Sequence, residues 1–151
     1  MLPRHRLKAI QILLVEDSKS DAVLIAETLN ESKFLNELNI VRDGVEATDY
    51  LYKRGKYIDA TRPDLILLDL NLPKKNGREL LAEIKADENL KTIPVVVLTT
   101  SSDETDILKS YKLHVNCYLV KPVDLEQFVE VVRSIEYFWL AIVELPPYED
   151  T

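Results

Sequence analysis

The 151-residue chain has a single cysteine, a single tryptophan, three glycines, two histidines and fewer cationic than anionic side chains. Each shortage excludes something. One cysteine, Cys117, cannot form an intramolecular disulfide, and its place inside an apolar run makes it a small core residue; a reducing, cytoplasmic setting is expected. The basic stretch Met1 to Lys8 is not followed by an apolar segment with a small-residue cleavage site, so no secretory signal is expected, and no apolar run is long enough to span a bilayer. His5 lies in the basic arm and His114 in a loop. Neither has a second His or Cys placed to join it in a metal site. Nineteen Lys and Arg against 26 Asp and Glu leave a net charge of −7, a poor match to nucleic acid that favours protein partners. There are no repeats or low-complexity tracts. An apolar fraction of 46% suffices for one ordinary domain with its own core.

What is present is a set of short Val/Ile/Leu runs that end on polar residues. Ile10 to Val15 leads to Glu16-Asp17, Leu65 to Leu68 to Asp69, Ile93 to Leu98 to Thr99-Thr100, and Val115 to Val120 to Lys121-Pro122. Each is followed by a helix-like segment, as in the buried strands of a parallel sheet. Open α/β sheets bind ligands beyond the carboxyl ends of their strands, so these polar residues are expected to share one site. Three carboxylates held together repel one another unless they protonate or bind a cation. A hard divalent cation with oxygen ligands, Mg2+, answers that need.

Helical signals fill the intervals. Ser18 and Asp21 have capping-box spacing, and Ala22, Ile25, Ala26 and Leu29 share a face. Leu38 and Ile40 alternate weakly, as on a half-exposed edge strand. Asp43-Gly44 then turns into a helix carrying Val45, Thr48, Leu51 and Tyr52 and ended by Gly55. A loop over 56–62 closes at Pro63, and a second spans Leu72-Pro73 to Gly77. Leu80, Leu81 and Ile84 form the apolar side of a third helix. Ser101 with Glu104 offers another capping box before Ile107, Leu108 and Tyr111. The alternation βαβαβαβαβα predicts a doubly wound five-stranded parallel sheet with helices on both faces.

Glu16-Asp17, Asp69, Thr99 and Lys121-Pro122, each after its proper strand, resemble the receiver domain of two-component response regulators. The resemblance runs from about Ile10 to Ile142. The passage from Leu68 through Asn71, Lys74, Lys75 and Gly77 to Glu79, with the tail Phe138-Trp139-Leu140 and Leu145-Pro146-Pro147, is similar to the small regulators associated with bacterial phytochromes. The resemblance implies a flavodoxin-like sheet of order 2-1-3-4-5, a sensor histidine kinase of phytochrome type as partner, and phosphorylation of Asp69. It also implies Mg2+ held by Asp17, Glu16 (directly or through water), Asp69 and the Asn71 backbone carbonyl. Lys121, after which a cis peptide bond is implied, would neutralise the phosphoryl charge, and Thr99 and Tyr118 would form the switch. Thr100 departs from the family, where a smaller residue is frequent. A phosphohydrolase of the haloacid dehalogenase type also uses an aspartyl phosphate, but it resembles the pattern D-x-D, and Asn71 occupies the second acidic position. A scaffold that has lost phosphorylation is the other alternative.

The expected division is an arm over 1–9, a receiver over 10–144 and a tail over 145–151, with no output domain. Output is then a protein contact. In the last helix Leu125, Phe128, Val132, Ile135, Trp139 and Ile142 recur at spacings of 3, 4, 3, 4 and 3, as in paired helices. With Phe138 beside this seam, homodimerisation through Phe128, Val132, Ile135, Phe138, Trp139, Ile142 and the tail is expected.

Overall fold

Runs rich in β-branched and leucine side chains form the central strands, and the computed structural model arranges them, with a more polar edge strand, as one sheet. It describes residues 9–32, 35–100 and 117–142, with side chains at all of these except 100, 117 and 135–142. The strands are β1 (Ile10–Val15), β2 (Asn36–Val41), β3 (Leu65–Asp69), β4 (Val95–Thr100) and β5 (Cys117–Lys121). All pairings are parallel and the order is β2-β1-β3-β4-β5, as the resemblance implied. The helices are α1 (Lys19–Glu31), α2 (Gly44–Leu51), α3 (Gly77–Ala86) and α4 (Leu125–Ile142). The helix expected after Ser101 lies outside the described residues.

Alternate side chains of each central strand serve different cores. Leu13, Ile66, Leu68, Val95 and Val97 meet Ala47, Leu51, Leu80, Leu81 and Ile84 of α2 and α3. Ile12, Leu14, Leu67, Val96 and Leu98 meet Ala22, Ile25 and Leu29 of α1 and Phe128 and Val132 of α4. Burial on both faces is why the strands read as continuous apolar runs. At the margin, β2 keeps the half-exposed pattern of an edge strand.

Several expectations need correction. The buried side of α2 comprises Gly44, Ala47, Thr48, Tyr50 and Leu51, whereas Val45 and Tyr52 are exposed. Tyr52 turns its hydroxyl to Asp87 Oδ2 at 2.7 Å, satisfying its polar tip outside the core. α2 ends at Leu51, and Gly55, with φ +56°, opens a short 3-10 turn. β4 starts at Val95 because Ile93, though buried, closes a turn by donating its N–H to the Leu90 carbonyl at 3.0 Å. Asn76 begins α3 with a full capping box to Glu79, where the sequence suggested loop. Phe128 and Val132, assigned to a dimer seam, are 2% and 4% exposed and belong to the core under α1. They cover the sheet because Leu98 and Leu119 leave an apolar surface that α4 must close.

Candidate functional site at the carboxyl ends of the strands

β1 lies between β2 and β3, so the chain leaves β1 toward one side of the sheet and leaves β3 toward the other. This reversal of direction opens a crevice beyond Val15 and Leu68, the usual ligand position in such sheets. Glu16 and Asp17 follow β1 directly. Glu16 remains in the ladder, its N–H donating to the Val41 carbonyl at 3.0 Å, which fixes its side chain under the crevice.

Asp69 is the last residue of β3 and is 5% exposed. Both of its oxygens are engaged: Oδ1 accepts the Asn71 N–H at 2.9 Å and Oδ2 accepts the Lys121 ammonium at 2.8 Å. Glycine makes this geometry possible. The backbone after β3 doubles back so closely that the Gly77 N–H donates to the Leu70 carbonyl at 3.0 Å. A Cβ on Gly77 would lie 2.4 Å from the Asp69 carbonyl oxygen and 2.5 Å from Leu70 Cα. The same loop presses on α2, where a Cβ on Gly44 would fall 2.0 Å from the Lys75 carbonyl oxygen. Lys75 reinforces the contact by donating to Thr48 Oγ1 at 3.0 Å and to Glu83 Oε2 at 2.6 Å.

Lys121 closes β5 before a cis bond to Pro122, in agreement with the expectation. Its ammonium lies 2.6 Å from Glu16 Oε1, 2.8 Å from Asp69 Oδ2 and 3.1 Å from Asp21 Oδ2. The Glu16 contact is a charge contact: its angles are not those of a hydrogen bond, and Oε1 is a buried acceptor without a hydrogen-bond donor. Burial pushes the Glu16 carboxyl up to about 7, and the adjoining Asp69 carboxylate adds to the rise while Lys121 opposes it. For Lys121 burial acts to lower the pKa, but the hydrogen bond to Asp69 and the negative charges of Asp69 and Glu16 outweigh it, and the ammonium is held above the ordinary lysine range.

Glu16, Asp17 and Asp69 each place one carboxylate oxygen within 4.8 Å of the others. An all-oxygen set with a buried, undonated Glu16 oxygen suits a hard divalent cation, which would relieve the crowding of like charges. Asp17 is exposed and gives the site an opening to solvent.

The two expected switch residues lie on one side of the sheet. Thr99 is 3% exposed at the end of β4, opposite Val120 in register, while Tyr118 lies opposite Val97 and is half-buried against the core shared with α2 and α3. Side-chain alternation therefore puts Thr99 and Tyr118 on the same face.

Asp21 is the site residue that the sequence reading missed. Ser18 does cap α1, accepting the Asp21 N–H at 3.2 Å, but the reciprocal half of a capping box is preempted. The Ser18 N–H donates to Glu16 Oε2 at 3.1 Å, which leaves the Asp21 carboxylate to meet Lys121. The sequence carries no separate signal for it, because capping-box spacing accounts for an acid three residues after Ser18 equally well.

Comparison with known proteins agrees with this geometry. Residues 12–133 match the response regulator receiver domain. The chain is 57% identical over 135 residues to response regulator Rcp1 of Synechocystis sp., covering 89% of this chain and 92% of that protein. Its structure is similar to the phosphorylated cyanobacterial phytochrome response regulator RcpA, with 56% identity, TM-score 0.75 and coverage of 93% of this chain and 100% of that one. It is also similar to the Mn2+-bound form of Rcp1, with 56% identity, TM-score 0.72 and coverage of 91% and 99%. The ordered carboxylates, the lysine at the end of β5 and this similarity over most of the chain lead to one conclusion: the chain belongs to the response regulator receiver domain family.

Proposed function

We propose that this protein is a signalling phosphoacceptor in which Asp69 takes a phosphoryl group from a phosphohistidine of a sensor histidine kinase. The observation that carries the reading is the Asp69 carboxylate, buried, held by the Asn71 N–H and the Lys121 ammonium, and adjoining two more carboxylates. In the transfer an Asp69 oxygen forms a bond to phosphorus as the phosphorus–nitrogen bond breaks, and the electron pair of that bond stays on the imidazole. The product is an acyl phosphate. Glu16, Asp17, Asp69 and the Asn71 carbonyl would hold Mg2+, which when bound offsets charge on the carboxylates and phosphoryl oxygens. Lys121 supplies a fixed positive charge at the same point, so the protein's contribution is positioning and electrostatics.

Thr99, buried near the end of the neighbouring strand, would follow the new phosphoryl oxygens, and Tyr118 on the same face would rearrange with it. Added charge at the sheet end is thereby converted into a change of surface. The likeness to phytochrome response regulators supports a phytochrome-type kinase as partner. Assembly as a homodimer would use Ile135, Phe138, Trp139 and Ile142 of distal α4 with the tail, since Phe128 and Val132 are occupied by the core. A cytoplasmic location suits this role. Turnover as a phosphohydrolase is disfavoured because Asn71 cannot transfer a proton as a carboxylate would.

Intact-mass spectrometry after incubation with acetyl phosphate and Mg2+ tests the reading. One phosphoryl group is expected on the wild type and none on Asp69→Asn or in excess EDTA. No uptake with any donor, including a phosphorylated kinase, would point to the scaffold alternative.

A further inference from the structure

The Lys121 ammonium is divided among three carboxylates of unequal exposure. The side chains of Glu16 and Asp69 are 0% and 7% exposed, but that of Asp21 is 39% exposed, so Asp21 is the solvent-facing partner. Asp21 also stands outside the cation-binding set of Glu16, Asp17 and Asp69. A bound divalent cation would offset the charges of that set directly, whereas Asp21 is matched by a share of one ammonium.

We propose that Asp21 is a positioning residue that sets the phosphodonor specificity of the site: it restrains the Lys121 ammonium and disfavours small, highly charged anionic donors. The inference rests on the phosphoacceptor reading of Asp69. Two effects of the observed contact act in the same direction. The ammonium, bound at 3.1 Å to Asp21, is less free to follow incoming phosphoryl oxygens. The Asp21 carboxylate also adds negative potential at the mouth of the site, and a dianion feels twice the repulsion felt by a monoanion. A donor presented on a protein surface overcomes this barrier through its remote contacts, whereas a free small molecule has none.

Two small donors separate the effects by charge. Acetyl phosphate, a dianion at neutral pH, gives up its phosphoryl group to an Asp69 oxygen as its phosphorus–oxygen bond breaks and acetate leaves with the electron pair. Phosphoramidate, a monoanion carrying an ammonium group, makes the same bond to Asp69 while its phosphorus–nitrogen bond breaks and ammonia leaves. Rate constants for single phosphorylation are measured for wild type, Asp21→Asn and Asp21→Glu at saturating Mg2+ and fixed ionic strength.

Asp21→Asn is expected to accelerate acetyl phosphate about 10-fold and phosphoramidate about 3-fold, with both gains shrinking as salt is raised. Asp21→Glu, which keeps the charge, should stay near wild type. Equal acceleration with both donors, the same acceleration in Asp21→Glu, or no acceleration in Asp21→Asn overturns the inference while leaving Asp69 as the acceptor. Absence of uptake dependent on Asp69 in the wild type overturns the phosphoacceptor reading, and this inference with it.

Discussion

The two ends of the sheet treat their polar groups in opposite ways. At the amino ends of β1 to β3, a shallow groove is lined by Gln11, Asn36, Glu37, Thr61, Arg62 and Asp64. Its groups settle local accounts: Asp64 Oδ2 accepts the Gln11 N–H at 2.9 Å, and the Asp64 N–H donates to the Gln11 carbonyl at 2.7 Å. At the carboxyl ends, Glu16, Asp21 and Asp69 converge on one ammonium, Asp17 crowds Glu16 and Asp69, and a buried Glu16 oxygen has no hydrogen-bond donor. Charges so arranged lower the stability of the cation-free fold and suit a place where charge will be added, which is why the proposed chemistry is assigned to this end and not to the groove at the other.

The comparison is broken most severely by Gly77→Ala. Both atoms in its way are backbone and cannot swing aside, so a loss of about 3 kcal/mol in urea denaturation is expected, with phosphoryl uptake slowed about tenfold or more as Asp69 is displaced. An unchanged melt with unchanged uptake would show that the turn after β3 can relax.

Removing one carboxylate from the crowded end should have opposite signs with and without a cation. In EDTA, Asp17→Asn is expected to be at least as stable as wild type, because three clustered carboxylates become two. With Mg2+ at about 100 times its wild-type Kd, wild type gains about 2.7 kcal/mol by linkage and the variant loses most of that gain. Denaturation curves recorded with Mg2+ and with EDTA read both signs.

A carboxylate near the same end but fully partnered gives the contrast. Burial acts to raise the Glu46 pKa, but the Tyr57 hydroxyl and the Arg42 N–H donate to the carboxylate, and the net shift is downward. Burial and Glu46 together push the Tyr57 hydroxyl well above its ordinary value of 10. A depressed carboxyl stabilises above its unfolded pKa and loses that contribution as pH falls; a raised phenol stabilises below its unfolded pKa and loses it as pH rises. Tyr57→Phe should therefore cost about 1–2 kcal/mol at neutral pH, with the deficit shrinking below about 4.5 and above about 10. A deficit that persists undiminished below about pH 4.5 and above about pH 10 would contradict the pairing.

At the amino end the effect is smallest. Asp64→Ala removes the acceptor for the Gln11 N–H and should cost about 1 kcal/mol, leaving phosphoryl uptake at the wild-type rate. A change in that rate would mean that the two ends are coupled through β1 and β3.

How much of this was legible follows from the kind of information each feature needs. β1 was readable to the residue because the four buried residues Ile12 to Val15 run without a polar gap up to Glu16, and Gln11 interrupts the run only at its half-buried start. Glu16, Asp17, Asp69 and Lys121 were readable because strand ends in a parallel sheet share one edge. The α2 face was misplaced because Tyr52 can satisfy an apolar stripe or an exposed hydrogen bond, and its choice depends on Asp87 in a distant part of the chain. Phe128 and Val132 fit a pairing seam as well as a core stripe, and the spacing alone does not distinguish the two. Asp21 was hidden for a similar reason: its capping role was plausible until Glu16 took the N–H that it would have accepted.

The most direct test of the account is to locate the phosphoryl group chemically. Protein phosphorylated in the presence of Mg2+ is reduced with borohydride, which converts an acyl phosphate on aspartate to homoserine, and its peptides are sequenced by tandem mass spectrometry. The account predicts homoserine at position 69 and its absence at Asp17 and Asp21. Homoserine at either of those residues, or none after full phosphorylation, would contradict it.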